Sequence, residues 1–214
     1  MKDFLPAHKY ITNDLKKFSN DSKKNMEKNI VMGIDPSMRS TGICVWDGSS
    51  YKYFIVAANP TKKLLKFFHP AFSVLPYEQA PVKGKTSIGK EWSITDNIGA
   101  VCGCVEKILL IYKPKYVVME ACAFAAGGRV ADLSGLSHCL RQVIRAHGIP
   151  VYVVPPTSNK LEFTGNGQAT KEMMVDAWKA CDPVAEELFA AGKIDDIADS
   201  FALCRYPKSK LVLE

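Results

Sequence analysis

The chain has 214 residues, of which 47% are hydrophobic and 23% are charged, as is ordinary for a soluble globular protein with a sizeable core. No run of 18 apolar residues occurs, which argues against a membrane-spanning helix. The seven cysteines lie mostly in apolar runs and indicate reduced thiols of a cytoplasmic protein. Cys102 and Cys104 form a C-x-C pair without a second pair at zinc-binding spacing, so a zinc site is not expected.

The net charge of +6 is concentrated in two segments. Residues 1–29 contain seven Lys and four acids, and residues 60–92 contain six Lys and two acids, whereas the remainder has 15 basic and 16 acidic residues. We therefore predict a basic N-terminal arm at 1–28 and a basic insertion at 59–91 around an acidic centre. This distribution suits a protein that holds a polyanion over a metal site, although a solvated surface is the alternative.

The first half of the chain predicts three strands, at 29–35, 41–46 and 51–58. Their short connections make an antiparallel meander. The segment 59–91 carries four of the twelve prolines and many lysines, and it is predicted to be irregular.

In the second half, helices and strands alternate. Helices are predicted at 92–112 and 130–147, strands at 116–120 and 149–154, a helix after the glycine turn at 165–167, and a last helix from about 195, with Lys160 in a loop. Alternation of this kind favours parallel strands with right-handed crossovers. The sequence thus predicts an α/β fold with a mixed five-stranded sheet, three antiparallel strands and then parallel ones, and helices on both faces.

Four carboxylates fall where this fold would bring them together. Asp35 ends the first strand, Glu120 ends the fourth, and Asp196 and Asp199 lie on one face of the first turn of the last helix. Neighbouring parallel strands end at the same edge of a sheet. Acids converging there would raise one another's pKa, and divalent cations with oxygen ligands would relieve that cost.

Each acid also has an ordinary structural explanation. Asp35 precedes Pro36 and suits a turn, and Glu120 suits a solvated strand end. Asp196 and Asp199 complement the positive end of the helix dipole, which explains one of them better than both, because like charges one turn apart repel.

Four stretches resemble the RuvC family of Holliday junction resolvases. They are GIDPSMRSTG at 33–42, EACAF at 120–124, KLEFTGNGQATK at 160–171 and DDIADSFAL at 195–203. The resemblance implies a ribonuclease-H-like nuclease domain over 29–206 followed by a short tail at 207–214.

The resemblance also implies roles for individual residues. The family's metal-binding catalytic acids fall on Asp35, Glu120, Asp196 and Asp199, its DNA-contacting lysines on Lys160 and Lys171, and its junction-intruding aromatic on Phe124. The position of Lys171 after a glycine pair suits a residue that neutralises charge on the scissile phosphate, and we count it among the catalytic residues. Arg39 and Arg129 flank the same edge as candidate phosphate contacts, with ordinary surface roles as the alternative.

The implied activity is hydrolysis of a phosphodiester in four-way DNA junctions. It would use two Mg²⁺ ions per active site, with Mn²⁺ as the alternative metal, and would leave 5′-phosphate and 3′-hydroxyl ends. Paired cleavage implies a homodimer. The apolar stripe on the helix at 130–147 suits either that interface or the core. No small-molecule cofactor and no membrane are expected.

Two departures from the family pattern, the basic arm and the insertion, predict a divergent phage-borne or viral member that acts in a bacterial or phage-infected host cell. Two other functions are the alternatives. An actin-like phosphotransferase needs a second domain and a further glycine-rich phosphate loop, which the sequence lacks. A non-catalytic branched-DNA-binding protein needs the basic periphery but not the full set of acids.

Overall fold

The structure is a computed structural model and describes residues 29–82, 86–122, 130–192 and 195–211. In these residues the strands are β1 Val31–Asp35, β2 Ser40–Trp46, β3 Tyr51–Ala58, β4 Phe72–Tyr77, β5 Tyr116–Glu120 and β6 Val151–Val154. The α-helices are α1 Lys62–Lys66, α2 Ser87–Tyr112, α3 Val130–Ala146, α4 Pro156–Thr164, α5 Lys171–Cys181, α6 Val184–Gly192 and α7 Asp196–Cys204, followed by a 3₁₀ turn at Lys208–Lys210. The predicted basic arm lies outside the described residues.

The strands form one mixed sheet in the order β4-β3-β2-β1-β5-β6. Strands β1, β2 and β3 pair antiparallel, while β5 pairs parallel with both β1 and β6. Ile34 of β1 lies opposite Met119 of β5, so the carboxyl ends of these two strands meet at one edge. The predicted mixed α/β sheet, antiparallel and then parallel, is therefore confirmed.

In the part of the chain that the structure describes, the sheet has six strands rather than the five predicted, because the segment 59–91 is only partly irregular. It contains α1 and also β4, which pairs parallel with β3. Pro76 lies inside β4, opposite Ala57. A proline cannot donate to a ladder and is therefore confined to edge strands, which is where β4 lies.

Side chains on alternate positions of the strands face two separate hydrophobic layers. Met32 and Ile34 pack under α2 and α3, whereas Val31 and Cys44 face the layer that contains α5, α6 and α7. Helices thus cover both faces, as predicted. The apolar stripe of α3 belongs to the first layer: Leu136, Leu140 and Ile144 are fully buried in the core. The core explanation of that stripe is therefore the one that the structure supports.

An aromatic cluster fixes the helices of the second layer. Trp178 of α5 meets Tyr53 of β3 edge-on, with ring centroids 5.5 Å apart, and Phe201 of α7 lies within 6.4 Å of both rings. The Tyr53 hydroxyl donates to Asp182 and accepts from the indole N–H of Trp178. The buried polar atoms of this cluster are thus paired, and its large rings tie α5 and α7 to the sheet.

Two glycines allow α7 to lie directly on the backbone of the sheet. A Cβ atom at Gly33 in β1 would be 2.1 Å from the carbonyl oxygen of Ser200, and one at Gly42 in β2 would be 2.2 Å from that of Asp196. Any larger residue would push the helix away. This approach sets how far the acids of α7 lie from the end of β1.

Within the described residues, no helix combines the length and apolar character needed to cross a bilayer.

We predict that Gly42→Ala lowers the free energy of unfolding by about 1–3 kcal/mol, as overpacking does. The added methyl group meets the backbone of α7 rather than a flexible side chain. Chemical denaturation measures the change. Gly103→Ala in α2 is the control, because a Cβ there has no neighbour within 4 Å, and alanine in a helix interior stabilises by about 0.5–1 kcal/mol. Equal stability of Gly42→Ala and the wild type would contradict this account of the packing.

Candidate active site

The acids that end two neighbouring strands lie side by side at one edge of the sheet. Asp35 is the last residue of β1 and Glu120 the last residue of β5, and the two strands are paired in register up to the preceding residues. Both side chains are half-buried. The sequence-predicted convergence of these two residues is thus present in the structure.

The first turn of α7 brings the other two acids to the same edge. Asp196 and Asp199 are half-buried residues of that turn, and the residues between and after them are packed into the core. The Ser40 side chain at the start of β2 hydrogen-bonds to Asp196 and favours its ionised form. Asp196, Asp199 and Glu120 all contribute to the electrostatic environment of Asp35, so the four acids form one cluster.

The pKa values of all four acids lie above their ordinary values. Burial is the largest cause for each. Repulsion from Glu120, Asp199 and Asp196 raises the pKa of Asp35 further, and burial with the charge of Asp199 raises the pKa of Glu120 to about 7. The pKa of Asp199 rises to about 6. Negative charge is therefore unfavourable here, and a bound cation would relieve it.

The two lysines predicted from the sequence lie beside this cluster. Lys160 is half-buried, and its charge lowers the pKa of both Glu120 and Asp199. It lies on α4, not in the loop that was predicted; Pro156 occupies the first position of that helix, where proline is well tolerated. Lys171 begins α5, and its Nζ donates to Asp195 over 2.5 Å. Its charge also lowers the pKa of Asp35 and Asp199.

Two residues of the site were not found from the sequence. Asp195, which directly precedes α7, pairs with Lys171. Asn159 of α4 is fully buried. Its Nδ2 donates to the carbonyl oxygen of Asp199 in α7 over 3.3 Å. Its hydrogen bond to Glu120 at the end of β5 lowers the pKa of that acid. Its Oδ1 has no partner. A polar residue at a buried helical position is the signal that would have identified Asn159, but that signal needs the helix, which was not predicted.

Of the three remaining candidates, Arg39, Phe124 and Arg129, the structure describes only Arg39. Arg39 is exposed in the turn between β1 and β2, where its carbonyl oxygen accepts from the backbone N–H of Ala58 over 2.9 Å. That turn lies at the same edge as the acids. Phe124 and Arg129 lie outside the described residues.

The chemistry of the donor set fits a divalent cation. Carboxylate oxygens are the ligands that Mg²⁺ prefers, and four raised pKa values mark a place where positive charge is favoured. In the described residues, however, no three Asp, Glu, His or Cys side chains are already arranged to hold one ion. The acids would have to change rotamer to close around a cation.

Two grooves of the described residues lie away from the acids. One, of about 470 Å³, lies between α3 and β6, and another lies between the C-terminal ends of α4, α5 and α7. The four acids line neither of these two grooves.

Two curated relatives resemble the chain in sequence. The crossover junction endodeoxyribonuclease RuvC of Chlorobium chlorochromatii is 24% identical over 146 residues, which span 68% of this chain but only 63% of that protein. RuvC of Dictyoglomus thermophilum is 29% identical over 122 residues, 56% of this chain and 75% of that protein. The chain matches no protein-family model.

Solved structures resemble it in fold. Thermus thermophilus RuvC aligns over 82% of this chain and 90% of its own, with a TM-score of 0.52 and 19% identity. The structure of the same protein in complex with a Holliday junction substrate aligns over the same shares of the two chains, with a TM-score of 0.55 and 20% identity. The yeast mitochondrial Holliday junction resolvase aligns over 89% of this chain and 82% of its own, with a TM-score of 0.51 and 14% identity.

The chain is RuvC-like in sequence and fold. In this fold the four acids lie at the ends of β1 and β5 and at the start of α7.

We predict that Glu120→Gln stabilises the metal-free protein at pH 8 by about 1–3 kcal/mol. The folded-state pKa of Glu120 is about 7, above the ordinary 4.5. The folded state therefore binds more protons than the unfolded state between these values, and stability is lost as pH rises through this window. Glutamine carries no charge and avoids that loss. Denaturation at pH 4 and pH 8 in the presence of EDTA measures the change.

The control for this experiment is Glu91→Gln, which changes an exposed residue of α2 and should leave stability unchanged at both pH values. A Glu120→Gln effect that is the same at pH 4 and pH 8 would show that the charge of Glu120 is not destabilising.

Proposed function

We propose that this chain is a metal-dependent, structure-selective endonuclease that resolves four-way DNA junctions. The observation that carries the proposal is the convergence of Asp35, Glu120, Asp196 and Asp199 on one edge of a RuvC-like fold. Support also comes from the two curated relatives, which are named as crossover junction endodeoxyribonucleases, and from the related structure that holds a Holliday junction.

The four acids would hold the cations, Mg²⁺ or Mn²⁺, two per site. When bound, such ions neutralise a phosphodiester and activate the attacking water. A carboxyl group must lose its proton before it binds a cation. Because the pKa values of Asp199 and Glu120 are about 6 and 7, cation affinity should rise with pH through this range.

The lysines would bind the substrate's phosphates. Lys171 has a 63% exposed side chain and reaches the acids from the first turn of α5, so it can contact both the cluster and a phosphate outside it. Its ion pair with Asp195 holds the ammonium group in place before DNA binds. Lys160 lies on the other side, near Glu120 and Asp199. The ammonium groups of these two lysines, held next to the scissile phosphate, would stabilise the negative charge that develops there.

The proposal includes a homodimer. A four-way junction is cut in two strands related by symmetry, so two active sites related by a two-fold axis are needed. The apolar stripe of α3 is buried in the monomer's own core and would not form the interface.

A non-catalytic branched-DNA-binding protein is the second candidate. The observation that favours it is that no three acids of the described residues are arranged to hold an ion as they stand. It would bind a junction but would not cut it with any divalent metal.

We predict that Asp199→Asn lowers the rate of junction cleavage at least about 100-fold while the Kd for the junction changes by less than about threefold. The substitution keeps the shape of the side chain and removes one of the cluster's charged ligands; losses of this order follow the removal of a group that stabilises charge in the transition state. Cleavage is measured on a labelled four-way junction with Mg²⁺ or Mn²⁺, and binding in EDTA by gel shift.

Asp176→Asn, which changes an exposed acid of α5, is the matched control and should cut at the wild-type rate. Wild-type cleavage by Asp199→Asn would rule out the assignment of the cluster. A wild-type protein that binds the junction but does not cut it with either metal would establish the second candidate instead.

A further inference from the structure

The crossover from β3 to β4 starts at the edge of the sheet that carries the acids. Ala57, near the end of β3, lies opposite Ser40, and the N–H of Ala58 donates to the carbonyl oxygen of Arg39 over 2.9 Å. Since β4 is parallel to β3, the chain must return to the far end of the sheet, where Phe72 lies opposite Tyr53. Helix α1 therefore begins close to the acids and leads away from them.

The inner side of this crossover is fixed to the core. Leu64 and Phe67 pack against the layer that contains α5 and α7, and the Phe67 ring lies 5.8 Å from that of Phe72. The side chain of Thr61 accepts from the N–H of Leu64 and caps the helix. Because the inner side is fixed, the exposed side chains of the crossover also have a defined position, on the same face of the sheet as α7.

The outward side is both apolar and positively charged. Phe68 is 84% exposed and Leu65 50% exposed. They lie among three exposed lysines, Lys62, Lys63 and Lys66, and these five side chains are called the crossover surface below.

The lysines of the crossover surface have no ion-pair partner among the described residues. From 51 to 77 the sequence contains four lysines and no Asp or Glu. Helix α6, which packs on α1, carries two acids, but both are engaged elsewhere: Glu186 pairs with Lys179 over 2.9 Å, and Glu187 lies 3.7 Å from His69.

These observations together favour a nucleic acid as the occupant. A merely solvated lysine helix does not explain why Phe68 is 84% exposed. A surface for an apolar protein contact does not explain the unpaired lysines around that ring. DNA offers both partners, phosphates for the lysines and apolar sugar and base surface for the ring. Strands lie about 4.8 Å apart, so the end of β3, where the crossover starts, is roughly 10 Å from the end of β1, and the crossover then runs away from the acids as an arm leaving the branch point would.

We propose that the crossover surface binds an arm of branched DNA where that arm leads away from the acids, with its lysines on the phosphates and Phe68 in apolar contact with the arm. This inference rests on the proposed function and extends it, because it assigns a second contact outside the acid cluster.

The lysine test compares two double variants on a four-way junction in EDTA. Lys62→Ala with Lys63→Ala should weaken binding about 10-fold at moderate salt and reduce the slope of log K against log salt by about 2, since each lost phosphate contact removes about 0.9. Lys107→Ala with Lys115→Ala removes the same charge at the far end of the sheet and should leave both values nearly unchanged. Thermal unfolding checks that each protein is folded.

The aromatic test uses Phe68→Ala. It should weaken junction binding about 5- to 10-fold without reducing the salt slope, because the lost contact is apolar and carries no charge. If the wild type binds the junction but the crossover lysine variant has the same affinity and salt slope as its control, the inference is wrong while the proposed function stands. If Phe68→Ala changes the oligomeric mass and not the DNA affinity, the surface is a protein contact and the inference is also wrong. A wild-type protein that binds no junction would overturn both.

Discussion

The direct packing of α7 on the backbone of β1 and β2 is the constraint on which the candidate site depends. Gly33 and Gly42 leave no side chain between helix and sheet, so the first turn of α7 comes down at the end of β1. The register between β1 and β5 adds Glu120 beside Asp35. Three elements that are far apart in the chain thus bring four acids to one edge. If side chains at Gly33 and Gly42 pushed α7 away from the sheet, the acids of α7 would separate from Asp35 and Glu120.

This arrangement is electrostatically costly and is stabilised by packing elsewhere. Burial and mutual repulsion raise the pKa of every acid in the cluster, and Lys160 and Lys171 only partly offset the effect. The aromatic cluster of Tyr53, Trp178 and Phe201 holds α5 and α7 in place against that repulsion. A cluster of unfavourable charge on a rigid frame is typical of a functional site, where strain is released on binding.

The parts of the fold that follow simple periodicity could be predicted from the sequence. Strands β3 and β5 were predicted with the observed bounds, and the rule that acids at the ends of neighbouring strands meet was enough to place Asp35 and Glu120 together. What could not be predicted depended on proline. Pro155 and Pro156 suggested a loop, but proline also suits the start of a helix, and α4 with Asn159 was therefore missed. Pro76 concealed β4 in the same way, because only the sheet order shows that the strand is at an edge.

Anomalous diffraction from crystals of the protein grown with Mn²⁺ tests most directly whether the four acids form a cation site beside DNA. We expect manganese peaks at coordinating distance from Asp35, between the Glu120 carboxylate and the first turn of α7, with rotamers of the acids adjusted to reach them. Well-ordered carboxylates without manganese between them, at Mn²⁺ concentrations that support nuclease assays, would contradict it.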